Sequence, residues 1–194
     1  MWHSEFSNGY TAQSWPQSYR EDNVTEITNI LRPAGFSDYA IAAICGNMQV
    51  ESYLNPGQFE HSYQTGSLTG GYGLVQWTPR TKFSDWAGAD WNTNWNKQPQ
   101  RIIYEEQNNL QWIATSAYPI SFSRFKIEDG NTYDVAYLAR AFFYNYERGT
   151  ILGSRELYAF QWLSFIQNLP PAPTPSGNIP IWLLFKIKWE NERK

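Results

Sequence analysis

The 194-residue sequence predicts a mainly α-helical domain, on three observations. Apolar residues recur at helical spacing in six or so separate segments, no alternating apolar–polar run is long enough to build a sheet, and a hydrophobic fraction of 42% can fill one core at this length. Residues 1–19 read as an N-terminal arm and 20–169 as the helical domain.

The elements follow in order. Val24, Ile27, Ile30 and Leu31 mark a short amphipathic helix that ends at Arg32-Pro33, because the residue before proline avoids the α region. Ser37 is placed to cap the next helix, which runs to Glu51. On it Ile41, Ile44, Cys45 and Met48 fall at i, i+3, i+4 and i+7 and predict one buried face. Asn55-Pro56-Gly57 stops that helix, and a small β-hairpin is expected between residues 60 and 75. Thr78-Pro79 reads as an N-cap with proline in the first helical position, opening a helix through Phe83 and Trp86. Residues 90–98 are polar and Asn/Trp-rich, hence a loop. Ile102, Ile103, Leu110, Ile113 and Ala114 predict a long helix, and residues 118–131 an irregular stretch. Val135, Leu138, Ala139, Phe142, Phe143 and Tyr146 predict a helix that delivers Tyr144 and Glu147 near its end. Leu157, Phe160, Trp162, Leu163 and Ile166 predict the last one. Residues 170–178 form a proline-rich linker, and 179–194 a short tail that is first apolar and then basic. The apolar part, Ile179 to Phe185, is far shorter than the roughly 20 residues a membrane-spanning helix needs. It reads equally as a segment packed on the domain or as a docking peptide.

One carboxyl stands out. Glu51 lies three residues beyond Met48, so it continues the apolar stripe of its helix. A carboxyl there loses solvation when charged, which favours the protonated form that a general acid requires. Most helical glutamates are solvated, and Glu51 alone would be read that way. The segment that follows changes the weighing. Gly70-Gly71-Tyr72-Gly73-Leu74-Val75-Gln76-Trp77 offers a backbone that a ligand can approach closely, an amide with donor and acceptor atoms, and an aromatic face.

Glu51-Ser52, then Gly71-Tyr72-Gly73-Leu74-Val75-Gln76, then Phe143-Tyr144-Asn145-Tyr146, resemble in order the three signatures of goose-type lysozymes and soluble lytic transglycosylases. The phage tail lysozymes, the tail-tip or tail-knob muramidases of bacteriophages, are a closer likeness, carried by residues 44–57 and 70–79 and by Tyr146-Glu147-Arg148. The resemblance covers about residues 20–168 and implies a lysozyme-like helical fold, goose-type or lytic transglycosylase-like. It implies Glu51 as the catalytic acid, and Ser52, Tyr72, Gln76, Trp77, Tyr144 and Tyr146 as substrate-binding residues. Tyr146 and Glu147 stand where the transglycosylase signature has small residues, which favours the phage branch. Glu60 and Glu147 are the visible candidates for a second carboxylate.

Other chemistries fit less well. A net charge of −3 argues against nucleic acid as a partner. The single Cys45 forms no internal disulfide and sits in the apolar stripe as a small core residue; a Cys45–His61 peptidase has no supporting context. No Cys/His cluster has metal-ligand spacing, the glycine segment lacks the Lys-Ser/Thr of a P-loop, and no cofactor is expected. The N-terminus has neither a basic start nor an apolar core, so no signal peptide is expected, and a virion component reaches the cell wall without one. The expected function is a muramidase on a phage tail that cleaves the β-1,4 bond between N-acetylmuramic acid and N-acetylglucosamine of bacterial peptidoglycan. Tail structural proteins are the expected partners of residues 179–194. A lytic transglycosylase that forms 1,6-anhydro products, and an inactive wall-binding or tail-structural module, remain as alternatives.

Overall fold

The structure, a computed structural model, describes residues 1–8 and 11–171. Most of the expected linker and all of the tail, residues 172–194, lie outside the described residues. Seven α-helices are described: α1 (Gln17–Leu31), α2 (Asp38–Ser52), α3 (Thr81–Ala87), α4 (Lys97–Gln107), α5 (Phe122–Ile127), α6 (Val135–Phe142) and α7 (Arg155–Gln167). The fold is mainly helical, as expected for a lysozyme-like domain.

Helix α2 is the axis of the molecule. Ser37 accepts a hydrogen bond from the Ala40 amide at 3.0 Å, the predicted cap. The helix is buried on every side from Ala40 to Gln49, where the sequence suggested one apolar face. An all-round apolar helix belongs in a core, and here α6 and α7 cover what α1 leaves open. Close approach of α7 depends on Gly46. A Cβ at that position would lie 2.6 Å from the Arg155 carbonyl oxygen and 2.7 Å from the Ala159 nitrogen, both backbone atoms. Asn47 adds a polar tie, donating to the Ala139 carbonyl of α6 at 3.1 Å.

Four expectations are corrected. The hairpin reduces to one antiparallel bridge between Phe59 and Tyr72, and the polar segment between them is held as a loop. Helix α3 starts at Thr81 instead of Pro79, since the Thr78 hydroxyl donates to the Gln76 carbonyl at 2.9 Å and serves the preceding turn. The long helix from Ile102 stops at Gln107, where Asn109 and Gln111 take left-handed dihedrals (φ 51° and 64°), so Leu110 and Ile113 are exposed. A short helix, α5, occupies part of the stretch expected to be irregular, capped by Ser121, which accepts from the Arg124 amide at 3.1 Å. The N-terminal arm is held by side-chain amides: Asn55 donates to the Glu5 carbonyl at 2.7 Å, and Asn23 to the His3 carbonyl at 2.8 Å.

Candidate active site

Three helix ends meet at one place. Helix α2 finishes at Ser52, and Tyr53 and Leu54 turn the chain away with left-handed dihedrals (φ 54° and 63°). Helix α6 continues into a π-helical turn, Phe143–Glu147, which ends at Arg148 with φ 57°. Helix α7 opens on Arg155. Because α2, α6 and α7 pack against one another, their ends bring Glu51, Glu147 and Arg155 into one cluster.

Arg155 is the hub, with a side chain only 4% exposed. Its guanidinium donates to the Glu51 carboxylate, and its Nε to Glu147 Oε2 at 3.2 Å. It also reaches the carbonyls of Ile151 and Leu152 at 3.1 and 2.8 Å and lies over the Phe143 ring, 4.4 Å from the centroid. Glu51 therefore does not sit in an apolar stripe as the sequence suggested: its side chain is 24% exposed, opens to a cleft and is ion-paired. The carboxyl in the deeply desolvated setting is Glu147, 5% exposed. Burial, and next the neighbouring Glu51 charge, push its pKa well above the ordinary 4.5, with Arg155 opposing and a hydrogen bond shared with Glu51 adding to the rise. Glu147 Oε1 is buried with no hydrogen-bond partner among the described residues, which favours the protonated form of this carboxyl.

The cleft holds about 640 Å³ and runs past Glu51, Glu147, Glu60, Gln76, Trp77 and Tyr146. Its glycine-rich wall is a tight turn: the amides and carbonyls of Tyr72 and Trp77 bond each other at 3.0 and 3.2 Å, and the Gln76 amide reaches the Gly73 carbonyl at 3.1 Å. Gly73 has φ 77°. Beneath the turn the buried Gln98 amide accepts from the Leu74 N–H and donates to the Pro56 carbonyl, both at 2.7 Å, so it ties the turn to the exit of α2. Gln76 keeps its side chain at the cleft and donates to the carbonyls of Gly73 and Gln58 at 2.9 and 3.2 Å.

The remaining sequence candidates divide. Ser52 and Tyr72 are fully buried and do not line the cleft, so their expected substrate contact is corrected. The Ser52 hydroxyl donates within 3.0 Å of both the Met48 and Leu74 carbonyls and joins α2 to the glycine turn. Tyr72 packs edge-on to Trp91 and against Phe59 and Phe83, and burial raises its phenol's pKa. Tyr144 is half-buried outside the cleft and stacks on Tyr118 with centroids 5.3 Å apart. Trp77 and Tyr146 line the cleft but are almost wholly buried, each showing an edge at most. Their polar tips point inward to Glu105, which accepts from Trp77 Nε1 at 3.3 Å and from the Tyr146 hydroxyl. Glu60 lines the cleft with its charge held by the Gly71 amide at 2.8 Å and the Ser62 hydroxyl at 3.0 Å.

Arg155, Glu105 and Gln98 were missed by sequence reasoning. Each acts through partners far along the chain, and no local pattern singles any of them out.

Fold and site together define a mainly helical, lysozyme-like domain with a carboxylate at the end of its central helix facing a cleft. The chain belongs to the phage tail lysozyme family, which it matches over residues 22–166. It is similar to "Morphogenesis protein 1" of Bacillus phage B103, with 38% identity over 128 residues that make up 65% of this chain. The chain spans 33% of that relative's length. Family membership supports a phage-associated, lysozyme-like role. No helix among the described residues is long and apolar enough to cross a membrane.

Proposed function

We propose that this domain is a muramidase, cleaving the β-1,4 bond between N-acetylmuramic acid and N-acetylglucosamine, with Glu51 as the proton donor. The observation that carries the reading is the cluster at the cleft floor: a partly open Glu51, oriented by Arg155 and touching the buried Glu147. Desolvation of Glu147 keeps a proton on its carboxyl, beside Glu51. Glu51 is the member that reaches the glycosidic oxygen. The buried Glu147 gives its proton to Glu51, which passes it to the leaving-group oxygen as an oxocarbenium-like state develops, and the proton lost by the attacking water restores the pair after cleavage.

Glu147 is a poor base for activating water, because it is buried and holds its proton. Glu60 is the better candidate, since it lines the cleft as a carboxylate held by an amide and a hydroxyl. A muramidase that uses Glu60 in this way releases products with a free reducing end. Phage tail membership supports a particle that carries the enzyme to the wall. Replacement of Glu51 by Gln tests the assignment. Clearing of purified wall should fall at least about a hundredfold in a protein that remains folded. Activity within a few-fold of wild type would overturn it.

A further inference from the structure

Two cations line the same cleft: Lys82, on the first turn of α3, and Arg148, the residue that closes the π turn. Arg32, Arg101, Arg124, Arg140 and Arg155 each pair with a carboxylate of this chain. Lys82 and Arg148 form no ion pair among the described residues. The Arg148 guanidinium donates once, to the Gln111 carbonyl at 3.1 Å, which leaves most of its five N–H groups without a protein acceptor. The two cations also feel each other. Burial first, and then Arg148, lower the Lys82 pKa from its ordinary value; Arg101 adds to this and Glu105 opposes it. Both side chains are exposed, and two like charges that face one opening favour an anion there.

The anion is defined by the proposed substrate. Uncharged sugar rings alone would not call for two cations without an ion-pair partner in a cleft that also carries Glu51 and Glu60. Peptidoglycan differs from a neutral N-acetylglucosamine polymer in having a carboxylate on each muramoyl residue: the lactyl group where the peptide is removed, the stem peptide where it is present. We propose that Lys82 and Arg148 form a carboxylate-binding subsite that recognises the acidic substituent of the muramoyl residue. The planar Arg148 fork suits a bidentate carboxylate, and the Lys82 ammonium supplies a second, movable donor. The subsite would set the register of the glycan, placing a muramoyl residue where a neutral polymer has no preferred frame. This inference rests on the peptidoglycan reading above.

The test measures binding, so that it does not depend on turnover. Glu51→Gln protein, with and without the added pair Lys82→Met and Arg148→Met, is titrated calorimetrically with three probes. These are a peptide-bearing muramoyl tetrasaccharide, the same sugar with its peptides removed, and the neutral tetramer of N-acetylglucosamine. The added pair should weaken binding of at least one muramoyl probe about tenfold and leave the neutral tetramer unchanged. Loss confined to the peptide-bearing probe assigns the stem carboxylate, and loss confined to the stripped probe assigns the lactyl group. Equal loss on all three probes, or no loss on either muramoyl probe, overturns the proposal. Should the subsite behave as described while the wild-type protein releases no product from wall, the carboxylate site stands and the muramidase reading falls.

Discussion

Arg155→Met removes the hub of the cluster and leaves its other members in place. The lost contacts are the bonds to Glu51 and Glu147, two bonds to carbonyls, and the stacking over Phe143. Breaking a buried ion pair by deleting one partner costs about 3–5 kcal/mol, because the other charge is stranded. Arg155 and Glu147 are 4% and 5% exposed, so the full figure applies to that half of the cluster. Glu51 is 24% open, and water screens its share. The 151–152 carbonyls belong to a loop, where water can replace the guanidinium. Glu147 can relieve the rest by keeping its proton, but less completely as pH rises. The expected loss is therefore about 4 kcal/mol at pH 8 and about 2 kcal/mol at pH 5. At pH 8 this corresponds to a drop in Tm of about 10 °C for a domain of this size. Urea unfolding at the two pH values measures it. A loss below about 1 kcal/mol at both, or a larger loss at pH 5 than at pH 8, would refute the reasoning.

The other expectations concern the same architecture. Glu147→Gln mimics the protonated carboxyl and should keep the bond to Glu51. Because the folded-state pKa of Glu147 is raised above 4.5, its stabilising contribution is complete below that value and is lost as pH climbs through the raised one. The variant should therefore be more stable than wild type at pH 8, equal near pH 4, and about tenfold slower in wall clearing, as read by urea titration and turbidity. Ser52→Ala removes the 3.0 Å bond to the Leu74 carbonyl and should cost about 1–2 kcal/mol in denaturant unfolding, with some loss of turnover as the glycine turn loosens. Gly46→Ala forces a methyl within 2.6 Å of the Arg155 carbonyl and should destabilise by about 3 kcal/mol or more while displacing Arg155, so Tm and activity should fall together.

The parts legible in the sequence share a physical origin. The Ser37 cap and the stripe of Ile41, Ile44, Cys45 and Met48 are local patterns that fix where α2 begins and which residues it buries. Asn55-Pro56-Gly57 announces the end of α2, whereas the count that put Glu51 in the apolar stripe hid its opening to the cleft. The run from Val135 likewise places Glu147 at the end of its element. What was hidden depends on tertiary partners. Nothing near Arg155 in the chain reveals that it holds two carboxylates from other elements, and Glu105 became visible only once Trp77 and Tyr146 were seen to point at it. The motif residues Ser52 and Tyr72 turned inward because a hydroxyl or a ring can brace a site as readily as touch a ligand. Helix α4 ended early because Asn109 adopts a left-handed backbone that outweighs the apolar spacing of Leu110 and Ile113.

Mass spectrometry of the muropeptides released from purified wall by wild-type protein and by Glu51→Gln tests the central claim most directly. Wild type should release disaccharide-peptides ending in reducing N-acetylmuramic acid, and the variant almost none. Products ending in 1,6-anhydromuramic acid would contradict water activation by Glu60, and release of no glycan product by folded wild-type protein would contradict the enzyme itself.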